Sequence, residues 1–141
     1  MIPLIGRDYE THLVASIRDA KHSIDVAMYD WRWYLDQPLY PVQSINRALV
    51  EAVRRGVIVR ALLDKDDIIP LLKSAGINAK KIPDLRRLHA KLVLIDRTKL
   101  IIGSHNLTRN ALTHNVEASI AIDLPSPDNR FTLFFSHFFG N

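Results

Sequence analysis

Apolar side chains recur along this chain with two periods, the 3.6-residue period of an amphipathic helix and the two-residue alternation or short branched runs of strands. Leu13, Ile17 and Ala20 fall at helical spacing within residues 8–21, with Asp8 or Thr11 able to cap the start, and predict a first helix. Ser23 to Tyr29 alternates Ile24, Val26 and Met28 as a strand. Ile45, Leu49, Ala52 and Val53 then line one side of a helix over Ser44–Arg55, which Gly56 terminates. Val57 to Leu63 reads as a strand, Ile68 to Ala75 before Gly76 as a short helix, and Ile77 to Ile82 as a weak strand.

The second half begins with two branched runs, Leu92 to Ile95 and Leu100 to Ile102, each of a length and composition suited to a buried strand. From Asn115 to Asp123 the alternation is clean: Val116, Ala118, Ile120 and Ile122 form one face, and Asn115, Glu117 and Ser119 the other. A strand with a polar side is predicted. Ser126-Pro127-Asp128 has helix-start chemistry, and Phe131, Phe134, Phe135 and Phe138 follow at i, i+3, i+4 and i+7, a stripe for the core that can double as a subunit contact. The alternation of strands and helices implies an α/β fold, an α/β/α sandwich with a mixed sheet. With 141 residues, 48% of them hydrophobic, the chain is expected to form a single domain over residues 1–141. Between the first strand and the second helix, Trp31, Trp33, Tyr34 and Tyr40 sit in a long loop, where they are expected to pack a core edge or a subunit interface ahead of stacking on bases.

Candidate chemistry concentrates in residues 88–108, LHAKLVLIDRTKLIIGSHNLT. In an unbroken strand His89 and Lys91 share a face, whereas Asp96 has the opposite parity to His89 and belongs at the strand end as a structural partner. Ser104 and Asn106 repeat the two-residue spacing just after Gly103, a residue that permits close backbone approach to a ligand. An imidazole, an ammonium, a hydroxyl and an amide converging in this way suit an anion with several oxygens, phosphate above all.

Charge sharpens that reading. The net charge is +4, but residues 79–99 hold seven basic residues, Arg86 and Arg87 among them, against Asp84 and Asp96. Positive charge gathered around the candidate site fits an anionic substrate such as a nucleic acid backbone or a lipid phosphate surface. There is no cysteine, which excludes disulfides and cysteine-based zinc sites. No apolar run approaches the roughly 18 residues needed to span a bilayer, and a soluble, cytoplasmic protein without stable membrane insertion is expected. Asp64, Asp66 and Asp67 read as a loop and helix start in preference to a metal site. His12, His22 and His114 lack evident partners.

His89-x-Lys91-x4-Asp96 followed by Gly103-Ser104-x-Asn106 resembles the HKD signature of the phospholipase D superfamily, which includes phospholipases, phosphatidyltransferases and small nucleases. The resemblance extends to Ser23–Tyr29 as a first core strand, to Arg55-Gly56-Val57-x-Val59 as a helix-to-strand step, and to Asn115-x-Glu117 as a downstream acidic position. It covers nearly the whole chain, in the manner of the single-motif nucleases. It implies His89 as a nucleophile that becomes a covalent phosphohistidine. A second histidine must then serve as acid and base, and a chain with one motif obtains it from a homodimer whose two-fold axis passes through the site. Lys91 and Asn106 would bind the non-bridging oxygens, Ser104 would assist, and Glu117 would orient His89. Gly103, His105, Arg86 and Arg87 are expected to contact substrate, with DNA favoured over RNA and no cofactor. Phospholipid hydrolysis or transfer, and nucleic-acid binding without turnover, are the competing readings.

Overall fold

The computed structural model describes residues 1–140. Seven strands, β1 (Ile2–Ile5), β2 (Ser23–Met28), β3 (Ile58–Leu63), β4 (Asn78–Lys81), β5 (Lys91–Ile95), β6 (Lys99–Gly103) and β7 (Ala118–Asp123), form one sheet in the order β1-β7-β6-β5-β2-β3-β4. The strands β2, β3 and β4 are parallel, because helices α2 (Pro41–Arg54) and α3 (Ile69–Ser74) carry the chain back between them. Every other pairing is antiparallel, beginning with β5 against β2. The expected mixed sheet is therefore present, with helices on both faces.

On one face Ile24, Val26, Val59, Ala61, Val93, Ile95 and Ile101 pack with Leu13 and Ile17 of α1 (Asp8–Asp19) and Ile45 and Leu49 of α2. On the other, Ala27, Leu62, Leu92, Leu94 and Leu100 meet Phe135 of α5 (Arg130–Phe139), whose neighbours Phe131, Phe134 and Phe138 are half-buried. The central strands read as continuous apolar runs because both of their faces are covered. The end of α5 is fastened by charge: Arg60 pairs with the buried Asp25 across β2 and β3 at 2.6 and 2.9 Å and donates to the Gly140 carbonyl at 3.1 Å. Lys80 Nζ donates to the Phe138 carbonyl at 2.9 Å.

Four elements depart from the sequence reading. The strand β1 and the short helix α4 (Arg109–Thr113) were not expected, and α2 begins at Pro41 instead of Ser44, the proline serving as a preorganised first helical residue. The strand β7 starts at Ala118, and its buried side is Ser119 and Ala121, the reverse of the predicted faces. Val116 is exposed and Ile120 and Ile122 are only half-buried, since α5 covers little of this end of the sheet. Trp31 packs in the core as expected, its indole N–H donating to Asn46 Oδ1 at 2.8 Å, and Trp33, Tyr34 and Tyr40 lean on the same core.

The hairpin joining β5 to β6 turns through Asp96 (φ 51°) and Arg97 (φ 62°), with the Thr98 N–H donating to the Ile95 carbonyl at 3.1 Å. Two consecutive left-handed residues form the tight turn that matches strand twist, and arginine is a poor occupant of its second position. Arg97→Gly is expected to raise stability by about 0.5–1 kcal/mol, read as a higher urea midpoint at unchanged slope.

Candidate active site

The site lies where β5 begins and β6 ends, on one edge of the sheet. His89 is exposed and precedes β5, and Lys91 is the first residue of that strand. The segment leading to His89 is held by Asp64 at the end of β3. Its buried carboxylate accepts from Arg87 Nε at 3.1 Å, from the Arg87 terminal nitrogen at 2.8 Å and from the Leu88 N–H at 2.8 Å. The Arg87 hydrogen bond is the largest influence holding the Asp64 carboxyl below the ordinary range. The acidic stretch is thus structural: Asp64 orients the approach to His89, while Asp67 pairs with Arg32 at 3.0 Å. Among the described residues no group of three or more His, Asp or Glu side chains could hold a metal ion. Arg87, expected at the substrate, has its guanidinium committed to Asp64. Arg86 stands exposed beside it.

Lys91 Nζ lies 3.1 and 3.2 Å from the two ring nitrogens of His89 and donates to the His89 carbonyl at 2.8 Å. Burial draws the Lys91 ammonium below its ordinary value, opposed by the charge of Glu117. Tyr29, one residue past β2, brackets the pair, with its ring 4.7 Å from that of His89 and 5.2 Å from Lys91 Nζ. Sequence reasoning passed over Tyr29 and Asp64. Both lie at the carboxyl ends of parallel strands, where open α/β sheets collect their sites.

The chain leaves β6 at Gly103 and brings Ser104, Asn106 and Glu117 together. Ser104 Oγ donates to Glu117 Oε1 at 2.6 Å and accepts the Ala118 N–H at 3.0 Å. Asn115 Nδ2 donates to the other Glu117 oxygen at 3.2 Å. Within one chain, then, Glu117 bonds to Ser104 and Asn115 and not to His89, its expected partner. Asn106 Oδ1 accepts the Asp30 N–H at 3.1 Å, which fixes the amide and leaves its NH₂ group without a protein acceptor among the described residues.

Asp96, expected as a structural partner, and Gly103 and His105, expected at the substrate, are each held by contacts within the fold. Asp96 follows the far end of β5, five residues beyond Lys91, or about 16 Å along the strand. Burial pushes its carboxyl up, but the N–H groups of Lys21, Ser23 and His22 outweigh that and hold it below the ordinary range, at 2.9, 3.0 and 2.7 Å. At Gly103 a Cβ would collide with Ser119 of β7, the residue it pairs with, so the close approach that demands glycine here is between strands. His105 is fully buried. It stacks on Tyr9 at 4.3 Å, with Nδ1 2.7 Å from Ser119 Oγ and Nε2 2.9 Å from the Gly6 carbonyl. The carbonyl can only accept, so Nε2 carries the proton and Nδ1 accepts from the hydroxyl.

Burial pulls His105 below the ordinary histidine value, with the Gly6 hydrogen bond and Glu117 opposing. A depressed folded value means that the unfolded chain binds the proton more readily, so this contribution to stability is complete above about pH 6.5 and is lost as pH falls below it. His12 is depressed too, again chiefly by burial. His105→Gln is therefore expected to flatten, without abolishing, the loss of stability between pH 7 and pH 5 in urea melts at successive pH values. Each histidine accounts for at most about 1.4 kcal/mol per pH unit.

Comparison with known proteins places this geometry. Residues 13–138 match the family described as "Cardiolipin synthase, PLD-like domain". The mitochondrial cardiolipin hydrolase of Canis lupus familiaris is 28% identical over 118 residues, 79% of this chain and 43% of that protein. A phospholipase D of Rickettsia felis is 38% identical over 87 residues, 56% of this chain and 42% of the relative. The chain thus spans less than half the length of these curated relatives. Among solved structures, the phospholipase D family member Nuc from Salmonella typhimurium superposes with a TM-score of 0.79 at 22% identity, covering 98% of this chain and 93% of Nuc. No helix among the described residues is long and apolar enough to cross a membrane.

Proposed function

Because the chain belongs to the phospholipase D superfamily, we propose that it hydrolyses phosphodiester bonds of nucleic acid, DNA above RNA, through a phosphohistidine on His89. The observation that carries the chemistry is the contact of Lys91 with His89, with Tyr29 against the His89 ring and, bonded to the next residue, Asp30, an Asn106 amide whose NH₂ group meets no protein acceptor among the described residues. A nitrogen of His89 attacks phosphorus, and the bond to the leaving oxygen breaks as that oxygen takes a proton from the His89 of a second copy. That second histidine, now neutral, removes a proton from water. The water oxygen attacks phosphorus and the phosphorus–nitrogen bond breaks, returning both histidines to their starting states. The Lys91 ammonium and Asn106 amide stabilise the charge on the non-bridging oxygens. Since Glu117 bonds to Ser104 and Asn115 in its own chain, its remaining acceptor capacity serves the His89 of the second copy. The nucleic acid preference rests on Arg86, Lys65 and Lys81, exposed cations along the rim that follow a backbone more readily than a single head group.

One observation favours a second reading, a phospholipid diester. A recess of about 680 Å³ lined by Ala90, Leu92, Arg130, Phe131, Leu133 and Phe134 lies between the start of β5 and α5, and its largely apolar wall would suit an acyl chain. Incubation in excess EDTA with labelled single-stranded DNA, duplex DNA, RNA and cardiolipin vesicles separates the two. We expect cut DNA and intact vesicles. Phosphatidate released from vesicles while every nucleic acid stays intact would overturn the nuclease reading.

A further inference from the structure

The cations that a substrate meets are not equivalent. Arg32 is held between Asp30 and Asp67, both at 3.0 Å, and Arg87 is held by Asp64. Arg109, at the start of α4, is exposed and has no carboxylate within 4 Å among the described residues. Its guanidinium lies 4.7 Å over the ring of Tyr40, and its backbone N–H donates to the Tyr34 hydroxyl at 3.1 Å, so both tyrosines are set by the residue that carries the charge. Together they form one wall of a recess of about 540 Å³ that starts at Asn106 and continues past Gln37 and Asn110.

We propose that this recess is a nucleotide subsite, which takes the nucleoside next to the scissile phosphate and directs the following phosphate onto Arg109. The proposal rests on the nuclease reading above and adds to it where the substrate continues. Three observations carry it. The recess shares Asn106 with the reacting centre, so a diester held there has one of its two substituents inside it. Its lining is made of amides, hydroxyls, charged groups and two tyrosines, with no aliphatic side chain, so an acyl chain would find nothing to pack against while a base finds hydrogen-bond partners and aromatic or guanidinium faces. Its uncommitted cation, Arg109, lines the same recess as Asn106, within reach of a polyanion that continues past the reacting phosphate. Its volume lies within the range of sites that bury small ligands.

The test measures binding, so that it does not depend on turnover. In the His89→Ala background, the affinity of a fluorescein-labelled hexathymidylate is determined by anisotropy at about 0.1 M salt. Arg109→Glu, Arg109→Gln and Tyr40→Ala are compared with Lys73→Glu, an exposed site on α3 with the same charge change. We expect Arg109→Glu to weaken binding at least tenfold, Arg109→Gln and Tyr40→Ala severalfold, and Lys73→Glu less than twofold. Equal weakening by Arg109→Glu and Lys73→Glu would reduce the effect to long-range charge and overturn the subsite, as would binding indifferent to Arg109 or absent altogether. Cleavage by the intact protein is scored separately. Arg109-dependent binding without any cleavage sinks the nuclease reading and keeps the subsite, whereas cleavage with Arg109-independent binding does the reverse.

Discussion

His89→Ala is expected to lower phosphodiester hydrolysis by at least about 10⁴-fold, with the loss in kcat and with folding untouched. The size follows from the double role proposed for this side chain. In a site shared by two copies, one substitution deletes both the nucleophile and the acid that protonates the leaving oxygen, and what remains is binding and charge stabilisation by Lys91 and Asn106. Stability is a clean control, because His89 is exposed and lies ahead of the strand, so its truncation is expected to shift the unfolding free energy by less than about 0.5 kcal/mol. Lys91→Ala makes a useful contrast. It leaves nucleophile and acid in place and removes a transition-state cation, for which a loss of about 10²–10³-fold is expected. The measurement is initial rates on bis(4-nitrophenyl) phosphate in excess EDTA. His89→Ala retaining a tenth of the activity would exclude a histidine nucleophile at this position.

The sequence made the sheet legible because burial on both faces leaves an unbroken branched run at Leu92 to Ile95 and one at Val59 to Leu63 interrupted only by Arg60, and helix periodicity at Leu13 to Ile17 and Ile45 to Ala52 is hard to mistake. It was less informative at β1 and β7, near the sheet's edge. There Ser119 is buried because His105 reaches across to it, a long-range hydrogen bond that local alternation cannot reveal, and so the predicted inside and outside of β7 were exchanged. The site showed the same division. His89 and Lys91 were placed by spacing alone, and the odd parity of Asp96 correctly sent it to the strand end, where three backbone N–H groups now account for it. The packing of Gly103 and His105 was not legible, because each borders a residue brought in by folding, Ser119 in both cases. Asp64 lay hidden in a run that looked like a helix start, since its bond to Leu88 crosses 24 residues.

Mixed dimers give the second large effect and test the shared site directly. If catalysis needs His89 from two copies, a dimer with one His89→Ala chain retains a nucleophile or an acid but never both, and is expected to be as dead as the double variant. Unfolding and refolding intact and variant chains together at one to nine then yields fully intact dimers as about 1% of all dimers, where independent sites would leave about 10% of the activity. Activity against the fraction of intact chain therefore follows a square law if the site is shared and a straight line if each chain works alone. A structural dimer, in which partner contact only steadies the fold, also gives the straight line, because His89→Ala leaves those contacts intact. A square law with His89→Ala, together with activity that stays constant at every ratio when the active Arg97→Gly chain is mixed in instead, assigns the dependence to a site shared between copies and not to refolding losses. The crossing of two imidazoles at one phosphate is what a single-motif chain needs, because an imidazole already bonded to phosphorus has no free proton to give the leaving oxygen.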